Sequence, residues 1–261
     1  MATGRPPWPL LLPALIGLVF LVLPFAGLLI RAPWPTLGAR LMTPQVMDAL
    51  RLSLTTATVA TALSVGFGVP LAWLLARVAF PGRRVVRALV TIPLVLPPVV
   101  GGVALLLVLG RTGVVGQYLY AWTGYSLPFT TAAVVVAQTF VAMPFLVVSV
   151  EGALRGADRR YEEAAATLGA SRTTIFRRVT LPMVGPGIVA GAVLCWSRAL
   201  GEFGATIMFA GNFPGRTQTM PLAVYLAMQD SPDAAIVLSL VLLVVSLLIL
   251  VTLRDRWVSP G

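Results

Sequence analysis

Arg198 and Glu202 stand four residues apart in an otherwise apolar run, Ser197-Arg198-Ala199-Leu200-Gly201-Glu202-Phe203-Gly204. On a helix that spacing puts both charges on one face. A charge at membrane depth is costly, so it marks either a paired site or a pathway. Two readings stay open: the two neutralise each other as a packing pair, or Arg198, with Ser197 beside it, draws an anion along a conduit. The second requires Glu202 to be paired, because its carboxylate alone would repel the anion. A second polar series, Ser53, Thr55, Thr56, Thr58, Thr61 and Ser64, lies in another apolar stretch. Such hydroxyls usually bond back to their own helix carbonyls; a polar stripe along a conduit, with Thr55 and Thr58 on it, is the alternative.

Several chemistries are excluded by what the chain lacks. It has no His, and all nineteen of its basic residues are Arg. A phosphate-binding loop of the Walker type needs a Lys, so the chain does not hydrolyse ATP by itself. Zinc sites built on His and Ser-His-Asp triads are ruled out as well. Cys195 has no second cysteine to pair with and reads as a small core hydrophobe.

The elements that must position these residues are membrane helices. Of 261 residues, 58% are hydrophobic and 11% charged, too little charge for a water-facing surface. The fold class expected is an all-α polytopic membrane protein in a single domain, 1–261. Six apolar segments are long enough to cross a bilayer, roughly 8–30, 51–76, 88–110, 128–153, 183–210 and 233–253. The net charge of +10 belongs to loops beside anionic lipid rather than to a nucleic-acid surface. Arg5, Arg77, Arg83, Arg84, Arg87, Arg155, Arg159, Arg160, Arg172, Arg177, Arg178, Arg254 and Arg256 fall on one side. Arg31, Arg40, Arg51, Arg111 and Arg216 fall on the other. The richer side is cytoplasmic by the positive-inside rule, which puts both termini and the loop 155–182 there. Pro93, Pro97 and Pro98, with Gly101 and Gly102, break the third segment and serve as a gate or a fixed kink. Gly187, Gly191, Gly201 and Gly204 admit a close neighbouring helix.

The loop 155–182 reads as two short helices. Asp158 can cap the first. Gly169 suits the left-handed position that ends it. Ser171 can cap a second helix with Ile175, Phe176 and Val179 on one face, and Leu181-Pro182 is expected to close it. The expected shape is a glycine elbow with an apolar knob and a charged rim, steadied by buried hydrogen bonds from Glu163. It either docks on a partner or lies on lipid head groups.

The spacing Glu163-Ala164-Ala165, three residues, Gly169, nine residues, Val179, then Leu181-Pro182 resembles the signature loop of permease subunits of binding-protein-dependent ABC importers, with Val179 in place of the more usual Ile. In such permeases the loop rests in a cleft of the ATPase subunit. The resemblance implies a type I permease fold in a prokaryotic inner membrane and a homodimer with the pore between subunits. It also implies ATP and Mg on the partner ATPase rather than on this chain, and an extracytoplasmic oxyanion-binding protein. The run from Arg198 to the outer loop, and Pro93-Leu94-Val95-Leu96-Pro97-Pro98, resemble the molybdate/tungstate branch, to which sulfate permeases are near. On that loop Asn212, Arg216 and Thr217 could greet an oxyanion or its carrier protein; a solvated loop is the alternative. An ion-coupled secondary transporter, an intramembrane enzyme and a scaffold subunit are the rival classes. Buried acidic coupling residues, a nucleophile with its base, or absence of transport would distinguish them.

Overall fold

The structure, a computed structural model, describes residues 8–258, and side chains from 9 to 249. Arg5 lies outside the described residues, as do the side chains of Arg254 and Arg256. Within those bounds every regular element is helical.

The chain runs α1 (Trp8–Ile30), α2 (Trp34–Leu41), α3 (Pro44–Arg77), α4 (Arg83–Val95), α5 (Pro98–Leu109), α6 (Gly116–Thr123) and α7 (Thr131–Gly156). It continues with α8 (Arg160–Thr167), α9 (Arg172–Ile175), a π turn (Phe176–Thr180), α10 (Leu181–Leu200), α11 (Gly204–Ala210), α12 (Met220–Asp230) and α13 (Pro232–Val258). Five helices are long and apolar enough to cross a membrane, and the bent pair α4–α5 makes a sixth crossing if counted as one. Proline opens several helices at their first positions, α3, α5 and α12 among them, where its missing N–H has no partner to lose.

Two expected crossings are broken. The segment 88–110 is two helices meeting at 118° around Leu96-Pro97; Pro97 and Pro98 cannot donate to the preceding turn, so the helix stops. The segment 183–210 ends its first helix at Leu200 and restarts at Gly204. The two restarts pack on each other. A Cβ on Gly204 would lie 3.0 Å from Val99 Cγ2, and one on Gly102 2.7 Å from the Ala205 carbonyl.

Lipid supplies no hydrophobic push between helices, so close approach of small residues does the work. The central triple of α3, α7 and α10 buries Ala57, Ala60, Ala72, Ala76 and Ala142 with Leu75, Leu146, Leu154 and Cys195. Gly187 faces Ala153, and Gly191 faces Ser149 across the α10–α7 seam. Gly201, by contrast, meets no neighbouring helix. Outside this triple, α12 packs on α3 and α13 through Ala49, Met220, Ala223 and Leu238.

The seam gives a direct test. Gly187→Leu should lower the thermal midpoint of the detergent-purified chain by an amount equivalent to roughly 1–3 kcal/mol of overpacking. Gly185→Leu, two residues away with open space above it, should leave the midpoint within a degree or two.

Candidate functional site

One end of the bundle gathers the charged residues that the sequence assigns to the cytoplasm. Glu151 of α7 is buried, and its Oε1 accepts from Arg87 Nε at 3.1 Å and Nη2 at 2.7 Å, and from Arg155 Nη2 at 2.6 Å. Arg87 also donates to the Leu75 carbonyl (3.3 Å), so the Arg87–Glu151 pair ties α3, α4 and α7. Glu162 of α8 plays the same part below α3 and α10. Its Oε1 accepts from Arg77 Nη2 and from the Thr180 hydroxyl, each at 3.0 Å.

The elbow forms as its capping residues dictate. The Asp158 carboxylate accepts the Arg160 N–H (3.0 Å) and the Ser171 hydroxyl accepts the Thr174 N–H (3.2 Å). Gly169 sits at φ +81°, where a side chain would be strained. Three expectations are corrected. Leu181-Pro182 does not close the second helix: the chain stays helical from Arg172 to Leu200. A π turn, in which the Leu181 N–H reaches back to the Phe176 carbonyl, precedes Pro182, whose ring would crowd a regular turn. Ile175, Phe176 and Val179 are half-buried rather than a protruding knob, and Phe176 meets Trp73 edge-on at 6.0 Å. The exposed apolar apex is Leu168, 88% exposed, and Tyr161 is exposed as well. Lastly, Glu163 is exposed with Ala164, and the internal bracing belongs to Glu162. Neighbours on a helix point about 100° apart, and nothing in the pair Glu162-Glu163 says which one faces Arg77. A cleft of about 510 Å³ lies behind the elbow, lined by Trp73, Arg77, Glu162, Glu163, Ile175 and Phe176 among others.

At membrane depth Arg198 and Glu202 do pair, Nη2 to Oε2 at 2.6 Å. The shared helical face is not the reason, because Glu202 lies in the break after α10. There its other oxygen accepts the Ala205 N–H at 2.8 Å and caps α11, which places an anion where that helix is positive. Glu202 is 1% exposed, whereas Arg198 keeps a quarter of its surface open and Ser197 is exposed. Thr55 and Thr58 bond back to the Arg51 and Leu54 carbonyls. Thr58 also accepts the Trp196 indole N–H (3.1 Å), and both threonines stay exposed. Ser53 is taken up by structure, accepting the Met220 N–H at 2.7 Å.

The outer loop is a tight knot. The Phe213 carbonyl accepts N–H groups from Arg216, Thr217 and Gln218 at 2.9–3.1 Å, and the Thr217 hydroxyl accepts the Phe213 N–H (2.9 Å). Thr217 is therefore buried and removed from any outer contact surface, a correction to its expected role. Asn212 is half-buried and Arg216 exposed, its carbonyl taking the Thr131 hydroxyl at 2.9 Å. Gly211, at φ +73°, lets the Phe129 and Phe213 rings close over it.

Residues 68–260 match the family described as binding-protein-dependent transport system inner membrane component. The chain belongs to that family. Its members are transport subunits rather than enzymes. The chain is 51% identical over 254 residues to the molybdenum transport system permease protein ModB of Mycobacterium tuberculosis, covering 97% of this chain and 96% of that one. It is 39% identical to the Escherichia coli protein of the same name (84% and 96% covered). To the sulfate transport system permease protein CysT of Salmonella typhimurium it is 37% identical (92% and 88% covered). The fold is also that of a bacterial ABC transporter importing the acidic polysaccharide alginate: TM-score 0.77, 19% identity, 97% and 96% covered.

Removing one partner of the Arg198–Glu202 pair strands a buried charge, which costs about 3–5 kcal/mol. Arg198→Ala should therefore lower the thermal midpoint sharply. Arg198→Met combined with Glu202→Gln, which keeps the cap on α11, should recover most of the loss; a double variant no better than Arg198→Ala would contradict the pairing account.

Proposed function

We propose that the chain is the membrane subunit of an ABC importer that carries molybdate, with tungstate as a close analogue. The observation that carries this reading is the 51% identity, sustained over 97% of the chain, to a protein named as a molybdenum permease. The 37% identity to a sulfate permease supports sulfate as the second reading. In our reading the whole chain is one permease domain, and two copies enclose the pore. Both termini and residues 155–182 face the cytoplasm, where ATP and Mg are held by separate ATPase subunits.

Glu163, Ala164, Ala165, Gly169, Val179, Leu181 and Pro182 form the docking elbow. The exposure of Glu163 and of the Leu168 apex supports that role, since a surface meant for another protein must be free on this one. Closure of the ATPases pushes the elbows, and the helices rock from inward to outward facing. An oxyanion released by an extracytoplasmic binding protein at Asn212 and Arg216 then enters the cavity. Arg198 is the cation on that path, with Ser197, Thr55 and Thr58 beside it. Glu202 is compensated by pairing and so does not repel the cargo. Weak binding in the path suits conduction, since a tight site would trap the ion, and the choice among oxyanions falls to the binding protein.

Reconstituted with its ATPase and binding protein, the chain should support ATP hydrolysis stimulated several-fold by molybdate-loaded binding protein, and less by sulfate. Equal stimulation by both anions would favour the second reading, and uptake without any ATPase would overturn the first. Gly169→Val, which forces a β-branched residue to positive φ, costs roughly 1–2 kcal/mol at the elbow. It should reduce co-purification of the ATPase while membrane insertion stays normal.

A further inference from the structure

The elbow has little apolar packing of its own. No residue of α8 is buried, and an eight-residue helix is not stable by itself in water. Behind it lies the 510 Å³ cleft rather than a filled seam. Two contacts fasten it to α3 across this space: the edge-on meeting of Phe176 with Trp73 and the polar joint at Glu162.

That joint draws on three elements. Arg77 is the last residue of α3, with its side chain only 7% exposed; Thr180 closes the π turn below α10 and is 2% exposed; Glu162 lies in the first turn of α8. One oxygen of Glu162 takes a hydrogen bond from each of the others at 3.0 Å. Leu75 and Ala76, immediately before Arg77, and Val184, one turn after Thr180, all belong to the central core. The joint is thus anchored where the two core helices end. A charge-assisted hydrogen bond is short and directional, and two of them converging on one oxygen resist rotation of α8 as an apolar contact over an open cleft cannot.

We propose that Glu162 is a positioning residue for transport, and that the Arg77–Glu162–Thr180 joint makes the elbow rigid with α3 and α10. ATPase closure then moves those two helices instead of swinging α8 into the cleft. The proposal rests on the docking role given above to the elbow. Its distinct content is that Glu162, which faces inward, governs the yield of transport per ATP rather than the attachment of the ATPase.

The test uses the whole importer in proteoliposomes, with molybdate as the transported probe, and reads molybdate uptake and ATP hydrolysis in the same vesicles. Glu162→Gln and Thr180→Val should leave ATPase attachment and hydrolysis near the unmodified level, while uptake per ATP falls about ten-fold for the first and several-fold for the second. Arg77→Glu should lose uptake, and combining it with Glu162→Arg should restore a substantial part. Should Arg77→Glu fail to fold, the Thr180→Val result decides alone, because it removes one hydroxyl and keeps the shape. An unchanged uptake-to-ATP ratio in Glu162→Gln and Thr180→Val would overturn the proposal. So would a loss that merely tracks detachment of the ATPase, or a well-folded charge swap with no recovery. If the unmodified chain neither holds an ATPase nor takes up molybdate, the failure lies in the docking reading itself.

Discussion

Everything in this structure depends on how closely α3, α7 and α10 approach one another. In lipid a leucine gains nothing by leaving its surroundings for another helix, so affinity between helices comes from contact area and from polar links. Alanines along α3 and glycines along α10 remove the side chains that would hold the backbones apart. With the seams shut, the hydroxyls of α3 bond to their own backbone, as for Thr55, Thr56 and Thr61, or link to a neighbouring element, as for Ser53 and Thr58.

The same closeness explains where the carboxylates lie. Glu151, Glu162 and Glu202 each meet at least one arginine, and each binds a second group besides. Glu162 lies in the first turn of its helix and Glu202 in a break, while Glu151 lies within α7 between the core residues Val150 and Leu154. Small residues along the seams and polar joints between elements make a bundle that is tight along its length and held at its rim by hydrogen bonds. Such a division suits a body that rocks as a unit while its attachments are worked from outside.

Much of this was legible in the residues themselves. Gly169, Asp158 and Ser171 announced the elbow because each fills a backbone need that few residue types meet. Long apolar runs announced the long helices but not their ends: α3 begins at Pro44, well before the expected 51. The break after Leu200 was not legible: apolar composition continues through it, and the deciding fact, a carboxylate returning to cap the next helix, is tertiary. The short helices α2, α6 and α12 were not legible because each runs eleven residues or fewer, too short for a long apolar run to mark it. Thr217 was misjudged because a hydroxyl in a loop looks the same whether it faces solvent or ties the loop shut. Glu162 was overlooked for a comparable reason, standing next to a carboxylate that carries the recognisable spacing.

The π turn between Phe176 and Thr180 has a geometric consequence. One additional residue in a single winding shifts everything upstream by a step of about 100° around the axis. At its start, Phe176 is aimed at the foot of α3; downstream, Gly187 and Gly191 are aimed at α7. A single continuous rod thus carries two differently oriented stripes, so a wheel projected straight through residues 172–200 misplaces the short stretch Arg172–Ile175 relative to Leu181–Leu200.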